Sequence, residues 1–130
     1  MAMKAFIQAV VQGNEKLIRR GCESGLVNLY DDYYGWPAAM YVLCPQNLHV
    51  LEILVEYGAN LNIVTKYSGS NLLMIACLSY NDINQNVVKY LIENGANPST
   101  INNSKCTSAH YAVESNNPKC LQLEIGRAHV

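Results

Sequence analysis

The sequence predicts an all-α solenoid made of short helix-turn-helix repeats. A glycine-centred segment recurs along the chain, as GANLN at residues 58–62 and GANPS at residues 95–99, with a weaker copy, GLVN, at residues 25–28. The leading glycines lie 33 and 37 residues apart, a period that indicates stacked repeats. An amphipathic run precedes each glycine, as expected for a helix with one buried face. Units of this length stabilise one another through their interfaces, so we expect one extended domain.

Composition excludes several classes of protein. The 130 residues are 50% hydrophobic and 15% charged, with a formal net charge of −1. Intrinsic disorder needs few apolar residues and a large net charge, and general nucleic-acid binding needs a basic excess to neutralise phosphates. No stretch has the layout of a membrane span or a secretory signal. The five cysteines form no C-x-x-C pair and are expected to be buried and reduced.

The first unit is expected to be an N-terminal cap. Its leading helix is predicted over residues 5–12, and Lys4, Gln8 and Gln12 lie four residues apart, so they form a polar stripe on one side. A terminal repeat needs such a polar outer face because only one neighbour covers it. An ordinary amphipathic helix would show much the same stripe, and both interpretations stay open.

A second motif marks the start of the first helix in the later units. It reads GWPAAMYV at residues 35–42, GSNLLMIA at 69–76 and KCTSAHYA at 105–112. These segments occupy the place of the G-x-T-P-L-H-x-A motif, and with the glycine turns they make the chain, from about Ala5 to Leu123, resemble an ankyrin-repeat protein. The resemblance implies helix pairs joined by β-turn or hairpin fingers. Four repeats are expected, the last incomplete, at residues 3–28, 29–62, 63–99 and 100–123.

Local residue preferences fit this register. Asn71 and Thr107 are predicted N-caps, and Pro37 suits a first helical position because no backbone donor is needed there. The glycine after each second helix is expected to adopt the left-handed conformation that ends a helix. Repeat three has extra residues around Tyr80 to Gln85, where we expect a loop. In repeat two the second helix is predicted to bury Leu48, Leu51, Leu54 and Val55 and to expose His49, Glu52 and Glu56.

The last seven residues do not continue the repeat pattern. After Leu123 the chain reads EIGRAHV at residues 124–130, where an apolar helix end and a glycine turn are expected. Back-translated as GAG ATC GGA AGA GCA CAC GTC, this segment spells a common sequencing-library adapter. We therefore expect a sequencing scar, set apart from the repeat domain at residues 1–123, and a natural protein that continues further.

Two cysteine–histidine pairs suggest chemistry only weakly. Cys106 and His110 are four residues apart, as metal ligands on one helix face would be, but Cys106 precedes the predicted cap and belongs to the finger. The resemblance implies that His110 helps to hold the helix start and the adjoining turn. Cys44 and His49 suggest a nucleophile and a base, yet no third group is evident to orient the base. We therefore expect no catalytic residue, no metal and no cofactor.

The candidate partner-binding residues centre on an aromatic finger. Residues 30–36, YDDYYGW, form the first complete finger, and in ankyrin proteins the residues beside the finger glycine commonly touch the partner. Tyrosine and tryptophan are enriched in interface hot spots, although such rings also pack on neighbouring fingers. The expected contacts are Asp32, Tyr33, Tyr34 and Trp36 in the first finger, Tyr67, Ser68 and Ser70 in the second, Asn103 and Ser104 in the third, and Cys44, Leu78 and Ser79 at the inner ends of the first helices.

The resemblance implies a non-catalytic protein–protein interaction module that binds another protein through its finger tips and concave helix face. We expect a monomer with no nucleic-acid or membrane partner, in the cytoplasm, with a nuclear or host-delivered location left open. Asp31, Asp32 and the aromatic rings favour a partner that offers apolar and basic groups. The alternative is a regulatory or targeting segment of a larger enzyme whose catalytic domain lies beyond Leu123, and a structural spacer is a third interpretation.

Overall fold

The computed structural model describes residues 1–43, 47–78 and 84–114, with the side chains of residues 84 and 85 excepted. Within these residues the chain forms helices and turns and contains no strand. An isolated antiparallel bridge joins Tyr30 to Pro37. The helices of the described part are α1 (Met3–Gln12), α2 (Glu15–Glu23), α3 (Ala38–Tyr41), α4 (Leu48–Glu56), α5 (Leu72–Cys77), α6 (Asn84–Glu93) and α7 (Ser108–Glu114).

The helices stack in two layers. Helices α1, α3, α5 and α7 contact one another in chain order and form one layer. Helix α2 packs against α1 and against α4, and α6 packs against α5. Each repeat therefore contacts chiefly its neighbours, which is the contact pattern of a solenoid. The predicted all-α repeat solenoid is confirmed.

One cluster of buried apolar side chains runs through the stack. In α4, Leu51 and Leu54 are buried and Leu48 and Val55 are half-buried, while the charged side chains of this helix face solvent, as predicted. Burial of apolar surface contributes about 25 cal/mol per Å², so the shared cluster is the main source of stability. The largest fully buried side chains include Phe6, Ile18, Met40, Leu72, Leu73, Met74 and Leu91.

Helix α1 has the predicted polar stripe, because Lys4, Gln8 and Gln12 are all exposed. The helix begins at Met3, two residues before the predicted start. Its buried face packs closely on α2 at Gly21, where an added Cβ would lie 2.1 Å from the ring of Phe6. This close approach explains the glycine in the middle of α2, a position at which glycine otherwise costs helix stability.

Asparagine side chains cap three helices. The side-chain oxygens of Asn14, Asn47 and Asn71 accept hydrogen bonds from backbone N–H groups three residues further on, at 3.3, 3.2 and 3.0 Å. The cap predicted at Asn71 is confirmed, whereas the caps of α2 and α4 were not foreseen. Thr107 lies directly before α7, at the position predicted for a cap. Pro37 was predicted at the first helical position, but α3 begins one residue later, at Ala38, and Pro37 has an extended ψ of 162°.

The glycine turns that separate the repeats are linked by asparagine. Gly25, Gly58 and Gly95 have φ values of 84°, 90° and 95°, so the predicted left-handed helix ends are confirmed. Asn28 accepts a hydrogen bond from the backbone N–H of the second turn at 2.8 Å and donates to the Gly58 carbonyl at 3.0 Å. Asn62 makes the same two bonds to the third turn, at 2.8 and 3.2 Å. These side chains therefore hold successive repeats in register.

The cysteines differ in their exposure. Cys22 and Cys77 are buried, as predicted, and burial raises the pKa of the Cys22 thiol to about 11. Cys106 is only half-buried, so the expectation was wrong for this residue. The reason is its place in the third finger rather than on a helix. Cys44 and Cys120 lie outside the described residues.

Several expectations lie wholly or mostly outside the described part of the chain. Of the loop expected at Tyr80 to Gln85, only the start of α6 at Asn84 is described. The second helix of the last repeat and residues 124–130 are also outside it. The repeat boundaries and the sequencing scar therefore stay predictions. Among the described helices the longest have ten residues, too few to cross a membrane.

Candidate partner-binding surface

A short polar side chain at the base of each finger holds the finger loop in its conformation through hydrogen bonds to the backbone. The side-chain oxygens of Asp31, Thr65 and Asn102 each accept a hydrogen bond, at 3.1 Å, from a backbone N–H in the segment that returns from the finger tip. The backbone N–H groups of the same three residues donate to carbonyls of the returning segment at 2.9, 2.8 and 3.1 Å. Aspartate, threonine and asparagine suit this place because their side chains bond readily to nearby backbone groups. The three fingers thus share one loop geometry.

Asp31 uses both of its carboxylate oxygens. One carboxylate oxygen accepts from the backbone N–H groups of Tyr34 at 3.0 Å and Trp36 at 3.1 Å. The other oxygen accepts a hydrogen bond from the hydroxyl of Tyr41, on α3. Asp31 therefore organises the finger from within, which corrects the expectation that it faces a partner together with Asp32. The side chain of Asp32 is exposed.

Aromatic rings form a chain from the tip of the first finger to the core. The centroids of Tyr33 and Tyr34 are 4.5 Å apart with the rings nearly perpendicular, those of Tyr34 and Trp36 are 5.6 Å apart, and those of Trp36 and Tyr41 are 5.4 Å apart. Tyr33 is 81% exposed and Tyr34 is 54% exposed. Aromatic pairs in such geometries stabilise one another beyond their buried area. The exposed rings are therefore held by the half-buried rings of Trp36 and Tyr41.

Trp36 belongs to the supporting end of this chain. It is half-buried and packs against the core cluster, as does Tyr41. Of the residues expected to contact a partner in the first finger, Asp32, Tyr33 and Tyr34 therefore lie on the outside, whereas Trp36 mainly supports the two tyrosines.

Neighbouring fingers are joined edge to edge. The backbone N–H of Lys66 donates to the Gly35 carbonyl at 2.9 Å, and the backbone N–H of Asn103 donates to the Ser68 carbonyl at 2.9 Å. The side-chain amide of Asn103 also donates to the Tyr67 carbonyl at 2.8 Å. Gly35 has φ of 66°, and an added Cβ would lie 2.7 Å from the Cβ of Lys66. The fingers therefore form one continuous edge, here called the finger edge (residues 31–36, 65–70 and 102–106).

The second finger exposes another tyrosine. Tyr67 is 63% exposed, and the Nζ atom of Lys66 lies 5.7 Å from its ring centroid. Ser68 is also exposed. Ser70, which was expected to contact a partner, is only 6% exposed, and its hydroxyl accepts hydrogen bonds from Ser68 and from the side chain of Asn102. Ser70 is a structural residue of the finger, and we leave it out of the surface.

The third finger is polar at its tip. Asn103 and Ser104 are exposed, and the next residue, Lys105, has a φ of 62°, an uncommon value for a residue other than glycine. Leu78, directly after α5, is 40% exposed. Cys44 and Ser79, also predicted contacts, lie outside the described residues.

Three of the residues considered for chemistry, Cys106, His110 and His49, lie within the described structure. The Sγ atom of Cys106 donates to a backbone carbonyl of its own finger at 3.5 Å. His110 is exposed on α7, and the hydroxyl of Ser108 donates instead to the carbonyl of Pro98, in the adjoining turn, at 3.5 Å. The role implied for His110 stays a prediction. His49, on α4, lies 3.2 Å from Glu15, on the neighbouring helix α2. Among the described residues, no group of three or more potential ligands can hold a metal ion.

Sequence reasoning missed the roles of the residues that build the finger edge and link the glycine turns. Asp31, Thr65 and Asn102 follow the glycine of the preceding turn by six or seven residues, and Asn28 and Asn62 follow it by three or four. These short polar side chains recur with the period of the repeat, so an alignment of the repeats with one another could have found them. The substitution of Thr for Asp or Asn hides it from a search for identical residues.

Stacked helix pairs joined by hydrogen-bonded fingers define a helical repeat protein, and the comparisons with known proteins identify its family. The family model described as ankyrin repeats (3 copies) matches residues 58–123, just over half of the chain. A putative ankyrin repeat protein of fowlpox virus is 34% identical over 120 residues, or 92% of this chain. The chain therefore belongs to the ankyrin-repeat family, as the sequence motifs indicated.

A solved structure agrees with this assignment. The crystal structure of an ankyrin repeat domain from Acinetobacter baumannii AYE matches 95% of this chain with a TM-score of 0.81, at 22% sequence identity, so the likeness concerns the fold. The chain spans 27% of the length of the fowlpox virus protein and 63% of the solved domain. Ankyrin repeats generally mediate protein–protein interactions, and their fold is typically non-catalytic.

Proposed function

We propose that this chain is a non-catalytic protein-binding module that captures another protein through its finger edge. The observation that supports the proposal most strongly is the exposure of Tyr33, Tyr34 and Tyr67 on loops whose polar groups are bonded internally. Large rings on a fixed framework provide contact area at low entropic cost, because little order is lost on binding. The contact surface consists of these rings together with Asp32, Ser68, Asn103 and Ser104.

The proposed partner is a folded protein with an apolar patch bordered by basic groups. Asp32 is exposed beside Tyr33, so a lysine or arginine of the partner would meet it there. Leu78, which is 40% exposed, extends the proposed surface toward the concave helix face. The predicted contacts Cys44 and Ser79 stay part of the proposal. The module acts as a monomer, and its cysteine usage suits the reducing cytoplasm.

The experiment is a selection from a library of displayed protein fragments, followed by affinity measurements on matched double variants. The test variant is Tyr33→Ser with Tyr67→Ser, which removes two exposed rings from the finger edge. The control is Leu29→Ser with Ile101→Ser, because these side chains are also large, apolar and exposed, at 51% and 64%. We expect the test variant to weaken binding about tenfold or more and the control to change it less than twofold.

Circular dichroism would show that both variants keep the helical signal. The proposal is wrong if the selection yields no binder, or if the two double variants weaken binding equally. The same selection addresses the possibility that the chain is a structural spacer, since a spacer would give no binder sensitive to the finger edge.

A further inference from the structure

A groove lies between the first turns of α1 and the first finger. Its volume is about 430 Å³, within the range typical of ligand pockets. One wall comes from α1 and the other from the finger. The residues that line it are Met3, Lys4, Ile7, Asp31, Asp32 and Tyr33.

The middle of the groove is apolar. Met3 and Ile7 are half-buried and pack against the core cluster, so the core holds their side chains in place. Tyr33 forms the opposite side, and its ring contacts the edge of Tyr34 at 4.5 Å between centroids. Met3, Ile7 and Tyr33 are the apolar surface that an aliphatic or aromatic side chain of a ligand would cover.

The two walls have opposite charge. Lys4 is exposed on the α1 wall, and the first turn of α1 contains no acidic residue and no side-chain cap, so its backbone N–H groups add to the positive potential. On the finger wall, the Asp31 carboxylate is committed to Tyr34, Trp36 and Tyr41, whereas that of Asp32 is exposed. A ligand that matches both walls carries both signs of charge around an apolar centre.

We propose that this groove binds an extended peptide segment of the partner in which one apolar side chain lies between a basic and an acidic side chain. The apolar side chain contacts Met3 and Ile7, the basic group pairs with Asp32, and the acidic group pairs with Lys4. The inference rests on the proposed function and deepens it, because Tyr33 belongs to both the groove and the finger edge. A partner on the fingers therefore has a continuous path into the groove.

The test begins with a random twelve-residue peptide library displayed on phage and selected against the full chain. We expect the enriched peptides to contain an aliphatic or aromatic residue with a basic residue on one side and an acidic residue on the other. One enriched peptide, made by synthesis, is then the probe for affinity measurements, together with a version in which glutamate replaces its basic residue.

Exchanging the charges of Asp32 and of the peptide's basic residue tests whether these two groups contact each other. We expect the glutamate version to bind the natural chain about fivefold more weakly than the parent peptide. The Asp32→Lys variant should reverse this order and prefer the glutamate version. The reversal does not depend on the direction in which the peptide lies, and loss of folding cannot imitate it.

The apolar contact is tested on one helix. Ile7→Gln should weaken the parent peptide about tenfold, because Ile7 lines the groove. Val11→Gln is the matched control, since Val11 is 48% exposed on α1 and is not among the residues that line the groove. Tyr67→Ser should also leave peptide binding unchanged, because Tyr67 lies on the second finger.

The groove proposal is overturned if no peptide is enriched, if Asp32→Lys fails to reverse the preference, or if Ile7→Gln and Val11→Gln act alike. The proposed function fails separately, when the protein-fragment selection gives no binder sensitive to Tyr33 and Tyr67. Peptides that are lost with Tyr67→Ser and kept with Ile7→Gln would support the finger edge and refute the groove.

Discussion

The finger edge and the outer face of α2 and α4 are both rich in polar side chains, and they use them differently. On the finger edge, Asp31 and its equivalents bond to the backbone of their own loops. On the outer face, charged side chains bond to one another. The guanidinium of Arg19 lies 3.0 Å from Glu15, 3.2 Å from Glu56 and 5.8 Å from the ring centroid of Tyr57.

This difference supports the proposal that the partner surface lies on the finger edge. Bonds from a side chain to its own backbone fix the loop and leave the aromatic rings free to contact another protein. Ion pairs in solvent fix little, since exposed pairs are worth about 0–1 kcal/mol. The finger edge therefore has a fixed conformation that suits the proposed recognition, whereas the ion pairs of the outer face add little rigidity.

Replacing Asp31 is expected to have the largest effect on stability. Asp31→Ala removes the acceptor of two backbone N–H groups and of the Tyr41 hydroxyl. We expect the free energy of unfolding in urea to fall by about 3 kcal/mol, because partly buried donors lose their partner. Asp32→Ala is the matched control and should change it by about 0.5 kcal/mol or less, since Asp32 is exposed. Equal effects of the two substitutions would contradict the internal role of Asp31.

The joint between the first two fingers is tested at a glycine. In Gly35→Ala the new Cβ would lie 2.7 Å from that of Lys66, and φ is 66°. We expect a loss of about 2 kcal/mol and faster amide exchange at Lys66, whose N–H bonds to the Gly35 carbonyl. Gly58→Ala separates the cost of the positive φ from the cost of the steric clash, because φ there is 90° and no atom lies within 4 Å of the added Cβ. Its loss should be about 1 kcal/mol, and a larger loss than at Gly35 would refute the close packing.

Removing the Asn62 hydrogen bonds that link two repeats is expected to cause the next largest loss of stability. Asn62→Ala leaves the Gly95 carbonyl and the backbone N–H of Asn97 without their side-chain partner. Since these groups are reached by water, we expect a loss of about 1 kcal/mol, measured by thermal unfolding. Glu52→Ala, on an exposed part of α4, is the control and should change the free energy of unfolding by less than about 0.5 kcal/mol. No difference between the two would mean that Asn62 does not couple the repeats.

The smallest expected effect is the pH dependence that Glu15, on the outer face, gives to the stability of the fold. Hydrogen bonds from His49 and then Arg19 lower the pKa of the Glu15 carboxyl from its usual value. A lowered pKa in the folded state contributes stability above the unfolded pKa, and this contribution is lost as the pH falls through the folded value. Titration by NMR should show the Glu15 pKa rising toward its usual value in His49→Ala, but not in Lys89→Ala. An unchanged value in His49→Ala would contradict the contact.

The sequence predicted the repeat and its helices because both depend on short-range patterns. The glycine turns at residues 58 and 95 and the buried face of α4 follow directly from spacing and apolar periodicity. Tyr33, Tyr34 and Tyr67 were predicted as contacts because they lie beside the finger glycines, and all three are exposed. The contacts themselves stay predictions. These features require only local information.

The interior of the finger edge required tertiary information. Asp31 looks like a surface residue in the sequence, and only the folded loop brings Trp36 and Tyr41 to it. Ser70 looks like a tip residue, yet it is buried because the finger of the next repeat places Asn102 against it. The groove also depends on tertiary structure, because α1 and the first finger are far apart along the chain.

The most direct test of the central claim is hydrogen exchange, by mass spectrometry, on the chain alone and bound to a protein obtained from the fragment selection. If the finger edge is the preorganised contact surface, amides of residues 31–36 and 65–70 exchange slowly in the free chain and still more slowly in the complex, while those of α2 and α4 stay the same. Protection that appears on α2 and α4, with the finger edge unchanged, would contradict the account.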